Sequence, residues 1–295
     1  MGRRNQLDSS FKAIEEYFDN LEFKSFTENR FKDILDKNRY SWNIPRNKYA
    51  KQVLSYLVIK KVLFSNEFPN VSIEPKIVYS WKTKDEFTVI SGLKNGSYFT
   101  HYSAIYLHQL SLQIPKTIYL NFEHGRSKNI IENDDEECLT QQSIDNAFKG
   151  NQRKSSLSFL YLDRKIIIIN GKYTNRLGVI KRQNINESFE FTDLERTLID
   201  ISVRPVYAGG VFEVLEAYKY AKEKLDVAKM ADYLNKMNFI YPYHQVIGFY
   251  LDKAGYDSES INYFKKEMKF NFYLTYDIRN KDFSQNWKLY YPKGF

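Results

Sequence analysis

The sequence is poor in metal-ligating residues and contains no long apolar run. Its single cysteine, Cys138, cannot form an internal disulfide bond, which is typical of a reducing compartment. One cysteine and four histidines are too few to predict a structural metal site. The longest apolar stretches, such as residues 166–169, have the length of a strand and not of a membrane span. Residues 1–10 are polar and no apolar stretch follows them, so we expect a cytoplasmic protein without a secretory signal or a membrane segment.

A cofactor is not predicted either. Gly209 and Gly210 precede a helical pattern, as phosphate-binding glycines do, but the Lys-Ser/Thr pair of a phosphate-binding loop does not follow them. We interpret the two glycines as a turn between helices.

The charge is unevenly distributed along the chain. The formal net charge is +8, and residues 1–84 carry 16 Lys and Arg against 10 Asp and Glu. Residues 85–295 are close to neutral, with 28 against 26. A basic N-terminal segment before a near-neutral body predicts that one end of the chain meets a polyanion. An incidentally basic surface is the alternative that charge alone leaves open.

The spacing of apolar residues predicts three helices and then two strands in residues 1–84. A helical period covers residues 9–20, and Thr27 is a suitable N-cap for a second helix. Pro45 suits the first turn of a third helix, which we expect to end near residue 61. Strand patterns follow at residues 62–64 and 76–81. This order is typical of a winged helix-turn-helix domain, in which the third helix enters the major groove of DNA.

The predicted third helix has an apolar and a basic polar face. A recognition helix packs one face on its own domain and offers donors, acceptors and cations to DNA on the other. An ordinary amphipathic helix with a solvated basic face is the alternative. We predict that DNA is bound by Arg46, Asn47, Lys48, Lys51, Gln52, Ser55 and, at the start of the second strand, Lys76.

Residues 85–295 mix helical and strand patterns, which predicts a second, larger domain of mixed α/β type and an α+β fold for the chain. Within it, the polar stretch 124–156 is interpreted as a mobile loop or insert. Thr192 and Glu195 have the spacing of a capping box at the start of a helix. On that helix, Arg196 and Asp200 are predicted to form a surface pair, contributing a few tenths of a kcal/mol.

Several segments of the second predicted domain have a distinctive sequence. They include residues 98–108 (Tyr-Phe-Thr-His-Tyr-Ser-Ala-Ile-Tyr-Leu-His) and 114–119 (Ile-Pro-Lys-Thr-Ile-Tyr). Further segments are residues 195–200 (Glu-Arg-Thr-Leu-Ile-Asp), Arg204-Pro205 and Gly209-Gly210. Tyr241 to Gln245, Gly248 to Tyr250 and Trp287 to Phe295 complete the set. In these segments the chain resembles the AbiEi antitoxins.

The resemblance implies a regulator of a type IV toxin–antitoxin system from phage abortive infection. Members of this family bind inverted repeats upstream of their own operon through an N-terminal winged helix and repress it. Their C-terminal domain counters a toxin of the nucleotidyltransferase superfamily. Two modes of neutralisation stay open, direct binding of the toxin and action on the toxin's effect. The implied partners are double-stranded promoter DNA and this toxin.

Two other functions are weighed against this one. A nucleotidyltransferase needs paired carboxylates to hold two metal ions, and neither Asp-x-Asp nor Asp-x-Glu follows Gly96-Ser97. A nuclease of the Asp…Glu-x-Lys type is poorly supported as well, because Asp163-Arg164-Lys165 supplies one carboxylate. We therefore do not predict an enzyme. A protein-interaction module without DNA binding is the second alternative.

Overall fold

The computed structural model describes residues 7–70, 73–123, 125 and 139–295. Helices and strands occur along the described chain, which confirms the predicted α+β class at the level of a mixed protein. The elements, in chain order, are α1 (Phe11–Asn20), β1 (Ser25–Thr27), α2 (Glu28–Asn38), α3 (Ala50–Ile59), β2 (Leu63–Phe68), β3 (Lys76–Trp81), α4 (Glu86–Ser91), β4 (Tyr98–Phe99), α5 (Tyr102–Leu107), β5 (Thr117–Glu123), α6 (Gln141–Lys149), β6 (Ser158–Tyr161), β7 (Arg164–Gly171), β8 (Val179–Gln183), β9 (Ser188–Thr192), α7 (Leu194–Val203), α8 (Val211–Ala221), α9 (Val227–Met237), α10 (Tyr243–Lys253), α11 (Ser258–Asn262), β10 (Phe272–Tyr273), β11 (Lys281–Ser284) and β12 (Leu289–Pro292).

The strands of the described residues are arranged in three sheets. In the first, with order β1-β3-β2, the central strand β3 is antiparallel to both neighbours, and Leu63 lies opposite Trp81. The second has the order β6-β7-β5-β4-β9-β8, with β4 parallel to β9. The third, β10-β12-β11, combines a parallel and an antiparallel pair around β12.

The chain folds into two compact units, each assembled from separate segments. The first comprises Met1–Tyr98, Ser158–Ile166 and Lys181–Glu190, and the second comprises Phe99–Leu157, Ile167–Ile180 and Phe191–Phe295. The sequence predicts domains of residues 1–84 and 85–295 instead. The two divisions differ because α4 packs within the first unit: a Cβ atom added to Gly92 would lie 2.6 Å from Val78 Cγ1. Thr88 of α4 also accepts a hydrogen bond from the backbone N–H of Ser188 at 2.9 Å.

Aromatic side chains dominate the core of the first unit. The ring of Phe18 lies 5.0 Å from that of Trp81 and 6.0 Å from that of Phe31, centroid to centroid. These three buried rings come from α1, β3 and α2, and therefore tie two helices to the sheet. Leu57 of α3 and Leu63 of β2 are buried in the same core. Each such side chain stabilises the fold by about 1.5–3 kcal/mol when it is fully buried.

Helices α7 to α10 contribute most of the core of the second unit, and α10 is fitted closely to the C-terminal segment. Gln245 is fully buried, and its Nε2 donates to the backbone oxygens of Trp287 at 2.7 Å and Phe270 at 3.0 Å. One turn later, a Cβ atom added to Gly248 would lie 2.1 Å from Trp287 Cζ3. The glycine therefore makes room for the indole ring.

Part of the stretch 124–156, predicted to be a mobile loop or insert, forms the helix α6, so the loop prediction is wrong there. This helix begins after Thr140, whose Oγ1 accepts a hydrogen bond from the backbone N–H of Ser143 at 3.1 Å. Ile144 and Phe148, four residues apart, are buried on its inward face. Two apolar residues at this spacing are enough to hold a short helix against a core, even in a polar stretch. Residues 124 and 126–138 lie outside the described part of the chain.

Candidate functional site

Helix α3 carries most of the predicted DNA-binding residues, but it begins later than the sequence predicts. Residues 45–48 form a turn, closed by a hydrogen bond from the N–H of Lys48 to the oxygen of Pro45 at 3.0 Å. Tyr49 has an extended backbone (φ −86°, ψ 160°) and is the N-cap. The prediction that Pro45 opens the helix is therefore wrong. Arg46, Asn47 and Lys48 precede α3 and do not lie on its first turn.

The two faces of α3 separate as the apolar pattern predicts. The side chains of Val53, Leu54 and Leu57 are buried, and Tyr56 joins them. The opposite face exposes Lys51, Gln52 and Ser55, and its last residue, Ile59, is 78% exposed. In the turn before the helix, Arg46 and Asn47 are exposed and Lys48 is half-buried. The structure thus brings six of the seven predicted residues onto α3 and the turn that leads into it.

Two of the exposed polar side chains of α3 also make hydrogen bonds within the helix. Gln52 Oε1 accepts from the backbone N–H of Tyr49 at 3.0 Å, which satisfies one orphan donor of the first turn. Ser55 Oγ donates to the oxygen of Lys51 at 2.8 Å. These bonds use one lone pair of Gln52 Oε1 and the proton of the Ser55 hydroxyl. The Gln52 NH₂, the second lone pair of Gln52 Oε1 and the Ser55 lone pairs are still available to a ligand.

Arg39 is a positioning residue for this surface, and sequence reasoning missed it. Its Nη1 donates to the backbone oxygens of Pro45 at 3.0 Å and Lys48 at 2.9 Å. These two bonds fix the turn that presents Arg46 and Asn47 to solvent. The connection between the second and third helices is polar, and its backbone carbonyls need hydrogen-bond donors. That need is the sequence signal that could have pointed to Arg39.

The excess positive charge of the first unit is concentrated around α3. Residues 37–61 contain seven Lys and Arg and not one Asp or Glu. Some of the cations of the unit have acidic partners. In this stretch Lys60 pairs with Asp8 and Arg39 with Asp36, and outside it Lys82 Nζ lies 2.8 Å from Glu15 and 2.9 Å from Asp19. Within the described ranges of the chain, Lys48 and Lys51 form no ion pair. The surface made by α3 and the turn before it therefore offers uncompensated positive charge to a polyanion.

Lys76 is placed apart from the other predicted residues. It is the first residue of β3 and lies opposite Phe68, at the far end of the hairpin from Leu63. Five residue steps along a strand correspond to roughly 17 Å. Its ammonium lies 5.1 Å from the centroid of the Phe159 ring, and burial together with the charge of Lys94 lowers the pKa of Lys76. The side chain thus packs on an aromatic ring within its own unit.

A second group of charged residues lies on α7, where the resemblance to AbiEi antitoxins includes Glu195, Arg196 and Asp200. The sequence predicts a capping box from Thr192 to Glu195, but the N-cap is Asp193, whose Oδ1 accepts from the N–H of Arg196 at 2.9 Å. Glu195 is buried and its Oε2 lies 2.8 Å from the Nζ of Lys229 on α9. The capping hydrogen bond accounts for the carboxylate of Asp193, and the ion pair with Lys229 accounts for the carboxylate of Glu195.

The ion pair between Arg196 and Asp200 is buried, contrary to the predicted surface pair. Arg196 is 4% and Asp200 is 9% exposed, and Nε lies 2.8 Å from Oδ1. Arg196 Nη1 also donates to Thr174 Oγ1 at 3.0 Å and to the oxygen of Leu177 at 2.8 Å. Thr100 Oγ1 donates to the second carboxylate oxygen of Asp200 at 2.8 Å. The pair therefore ties α7 to residues 174–177 and to the segment before α5.

The cluster on α7 also raises the pKa of Lys229. Burial opposes the charge of this ammonium, but hydrogen bonds and attraction from Glu195 and Asp193 outweigh burial and raise its pKa. Gly178, with φ 70°, lies against this cluster, and a Cβ atom there would be 2.7 Å from Arg196 Cβ. The backbone at Gly178 can adopt its conformation and approach α7 because it carries no side chain.

Among residues 7–70, 73–123, 125 and 139–295, no group of three or more His, Cys, Asp or Glu side chains could hold a metal ion. In the same ranges, no helix combines the length and apolar character that a membrane span requires.

The chain has a similar fold to a protein of known structure, but no similar sequence was found among known families. No model of a known protein family matches the chain, and no curated protein matches it. In structure the chain is similar to the RV2827C protein from Mycobacterium tuberculosis, known from a crystal structure, with a TM-score of 0.52 at 10% sequence identity. The similarity covers 96% of this chain and 91% of that protein. At such low identity it shows that a related fold occurs in a solved structure.

Proposed function

We propose that the chain is a transcriptional repressor and antitoxin of the AbiEi type, which binds inverted repeats in its own promoter. The order α1, β1, α2, α3, β2, β3, with the three strands in one antiparallel sheet, is typical of a winged helix-turn-helix domain and supports a recognition role for α3. The observation that carries the proposal is the exposed face of α3, which lies in a stretch of 25 residues without a single carboxylate.

The dimensions of α3 suit the major groove of duplex DNA. Ten residues correspond to a helix roughly 15 Å long, and the groove, about 12 Å wide, admits one such helix. Lys48 and Lys51 are positioned to neutralise phosphates. The Gln52 NH₂ and the Ser55 hydroxyl supply a donor and an acceptor for base edges. An inverted repeat requires two copies of this helix, one for each half-site.

In this proposal the second unit counteracts a nucleotidyltransferase-like toxin, by direct contact or by acting on the toxin's effect. The resemblance to AbiEi antitoxins in residues 98–108, 195–200 and 241–245 supports it. Several of those residues have packing roles, as the hydrogen bond from the buried Gln245 to the backbone oxygen of Trp287 illustrates. Toxin-facing residues are therefore to be sought among exposed side chains outside these segments.

DNA binding is tested by fluorescence anisotropy with a duplex that carries the DNA upstream of the gene. We expect the affinity to fall steeply with salt, with a slope of about −0.9 in log K against log salt for each phosphate contact. The triple variant Lys48→Ala, Lys51→Ala, Gln52→Ala should lose specific binding. The weak binding that is left should have a slope shallower by about 1.8, because two lysines are gone.

A matched control separates a local effect from a general loss of charge. Lys219→Ala with Lys236→Ala also removes two positive charges, from exposed positions of the second unit, and should bind the promoter like the wild type. Equal damage in the control and in the triple variant would contradict a specific role of α3. If the triple variant keeps DNA binding but no longer neutralises the toxin, α3 serves a protein partner, as in the second alternative.

A further inference from the structure

The second unit contains a cavity of about 680 Å³ next to the buried pair of Arg196 and Asp200. Sites for small molecules and cofactors are typically 300–1,000 Å³, so the cavity has room for a ligand much larger than a simple ion. It lies among α7, the segment 151–153, the end of β7 and the connection from α9 to α10. The DNA-binding proposal assigns it no role.

The cavity is lined by more positive than negative charge. Arg153, Lys172, Arg196 and Arg204 line it, and Asp200 is the acidic side chain among the lining residues. Arg196 uses its charge on Asp200. Among the residues that the structure describes, neither Arg153 nor Arg204 has a carboxylate partner. A cavity with two such guanidinium groups is complementary to phosphate, which the planar guanidinium recognises through paired hydrogen bonds.

One wall of the cavity is aromatic. Phe239, Tyr241 and Tyr276 line it, and each of these side chains is partly accessible to solvent. Aromatic faces stack on planar rings, and nucleic-acid bases use this interaction irrespective of base identity. An inorganic anion would not use this wall.

Two polar atoms at the cavity lack a hydrogen-bond partner within the described part of the chain. His101 Nδ1 and Gln152 Oε1 are both buried atoms, and His101 as a whole residue is 6% exposed. Such orphaned atoms are costly in a folded protein unless a ligand or water satisfies them. One ring nitrogen and one amide oxygen match the donor and acceptor groups on the edge of a base.

The backbone at His101 is strained at the same place. Its φ of 53° and ψ of −129° belong to a region that favours glycine, and a residue with a Cβ atom is held there only by its surroundings. The hydrogen bond from Thr100 Oγ1 to Asp200 anchors the preceding residue. Strain of this kind is concentrated at ligand sites, where it orients a side chain in advance.

We propose that the cavity binds a nucleotide, with the phosphates at Arg153 and Arg204, the base against the aromatic wall, and its polar edge facing His101 and Gln152. The two guanidinium groups without a carboxylate partner, the partly accessible rings and the orphaned polar atoms each match a different part of this ligand class, and the volume of the cavity accommodates them together. The site is independent of promoter binding, since all of its residues belong to the second unit.

The test is isothermal titration of the full chain with the four ribonucleoside triphosphates, their nucleosides and inorganic pyrophosphate. At least one triphosphate should bind one per chain and roughly 5- to 100-fold more tightly than pyrophosphate, because stacking of the base adds to the phosphate contacts. Arg153→Met and Arg204→Met should each weaken this binding roughly 10- to 100-fold. Arg153 is exposed, so its replacement leaves folding intact even if Arg204→Met does not.

Two controls make the outcome decisive. Lys219→Met removes a positive charge at an exposed position outside the cavity and should bind like the wild type. The triple variant of α3 described above should also keep its nucleotide affinity, even if promoter binding is lost or never found. The proposal is overturned if no triphosphate binds at millimolar concentration, if pyrophosphate binds as tightly, if both arginine variants bind like the wild type, or if the α3 variant abolishes binding.

Discussion

Replacement of Asp200 by alanine removes the counterion of a buried guanidinium. Arg196 keeps its hydrogen bonds to Thr174 Oγ1 and to the backbone oxygen of Leu177, which are neutral groups, and Thr174 is in turn bound to the carboxylate of Glu123. Deleting one partner of a buried ion pair costs about 3–5 kcal/mol, because the remaining charge is left in a poorly solvated place. We expect the free energy of unfolding of the second unit to fall by this amount in Asp200→Ala. The predicted surface pair would have cost a few tenths of a kcal/mol.

The chain offers a control with the same spacing and opposite burial. Asp232 and Lys236 are also four residues apart on one helix, their charged atoms are 2.6 Å apart, and their side chains are 52% and 59% exposed. Solvent screens this pair, so Asp232→Ala should change stability by less than about 0.5 kcal/mol. The double variant Arg196→Met, Asp200→Leu removes both charges and should recover much of the stability lost in Asp200→Ala.

Urea unfolding followed by far-ultraviolet circular dichroism and tryptophan fluorescence measures these differences. Trp287 lies in the second unit with all four charged residues of the comparison, whereas Trp42 and Trp81 lie in the first, so the variants Trp42→Phe and Trp81→Phe serve as the background in which fluorescence reports on the second unit. Each shift of the urea midpoint is converted into a change in the free energy of unfolding with the measured dependence of that free energy on urea concentration in the same transition. The reasoning is refuted if Asp200→Ala and Asp232→Ala destabilise equally, or if the double variant is less stable than Asp200→Ala.

Two further predictions concern the second unit. Burial lowers the pKa of His101 to about 4, with Asp200 opposing and Arg204 and Arg196 reinforcing the effect. In the unfolded chain the pKa of His101 is near 6.5, so the unfolded chain binds the proton at a higher pH than the folded chain does. The contribution of His101 to the free energy of unfolding is therefore complete above pH 6.5, and it falls by up to about 3 kcal/mol as the pH approaches 4. His101→Gln should lose this part of the pH dependence, as measured by urea unfolding from pH 4 to 8; an unchanged profile would contradict it. Gly248→Ala should destabilise the unit by about 1–3 kcal/mol or more, because the new methyl group overlaps the ring of Trp287. Gly150→Ala, whose methyl group meets open space, should shift the thermal midpoint little, and equal shifts would refute the packing argument.

Helix α3 illustrates what local pattern can predict. Its inward residues Val53, Leu54 and Leu57 recur at helical spacing, and they are buried. Its start could not be predicted in the same way. Pro45 is compatible with a helix start, but Arg39, on a neighbouring segment, draws the carbonyls of residues 45 and 48 into a turn. Two hydrogen bonds between segments therefore accompany a helix start that the pattern placed too early.

The charged residues of α7 also show that local spacing predicts a contact but not its burial. The spacing of Arg196 and Asp200 indicates that they pair, and they do. Whether the pair faces water depends on Thr174, Leu177 and Thr100, which are distant along the chain. The cavity beside the pair has no sequence signal at all, because its walls come from segments that meet only in the folded chain.

The sequence by itself determined the mixed class of the protein, the amphipathic division of α3 and the concentration of positive charge near it. These follow from residue type and from neighbours three or four positions apart, which the chain carries before it folds. The tertiary structure alone decided the composition of the two units, the depth of the ion pair on α7 and the orphaned atoms at His101 and Gln152. Burial and solvation are set by which distant segments pack together, and no local period encodes that.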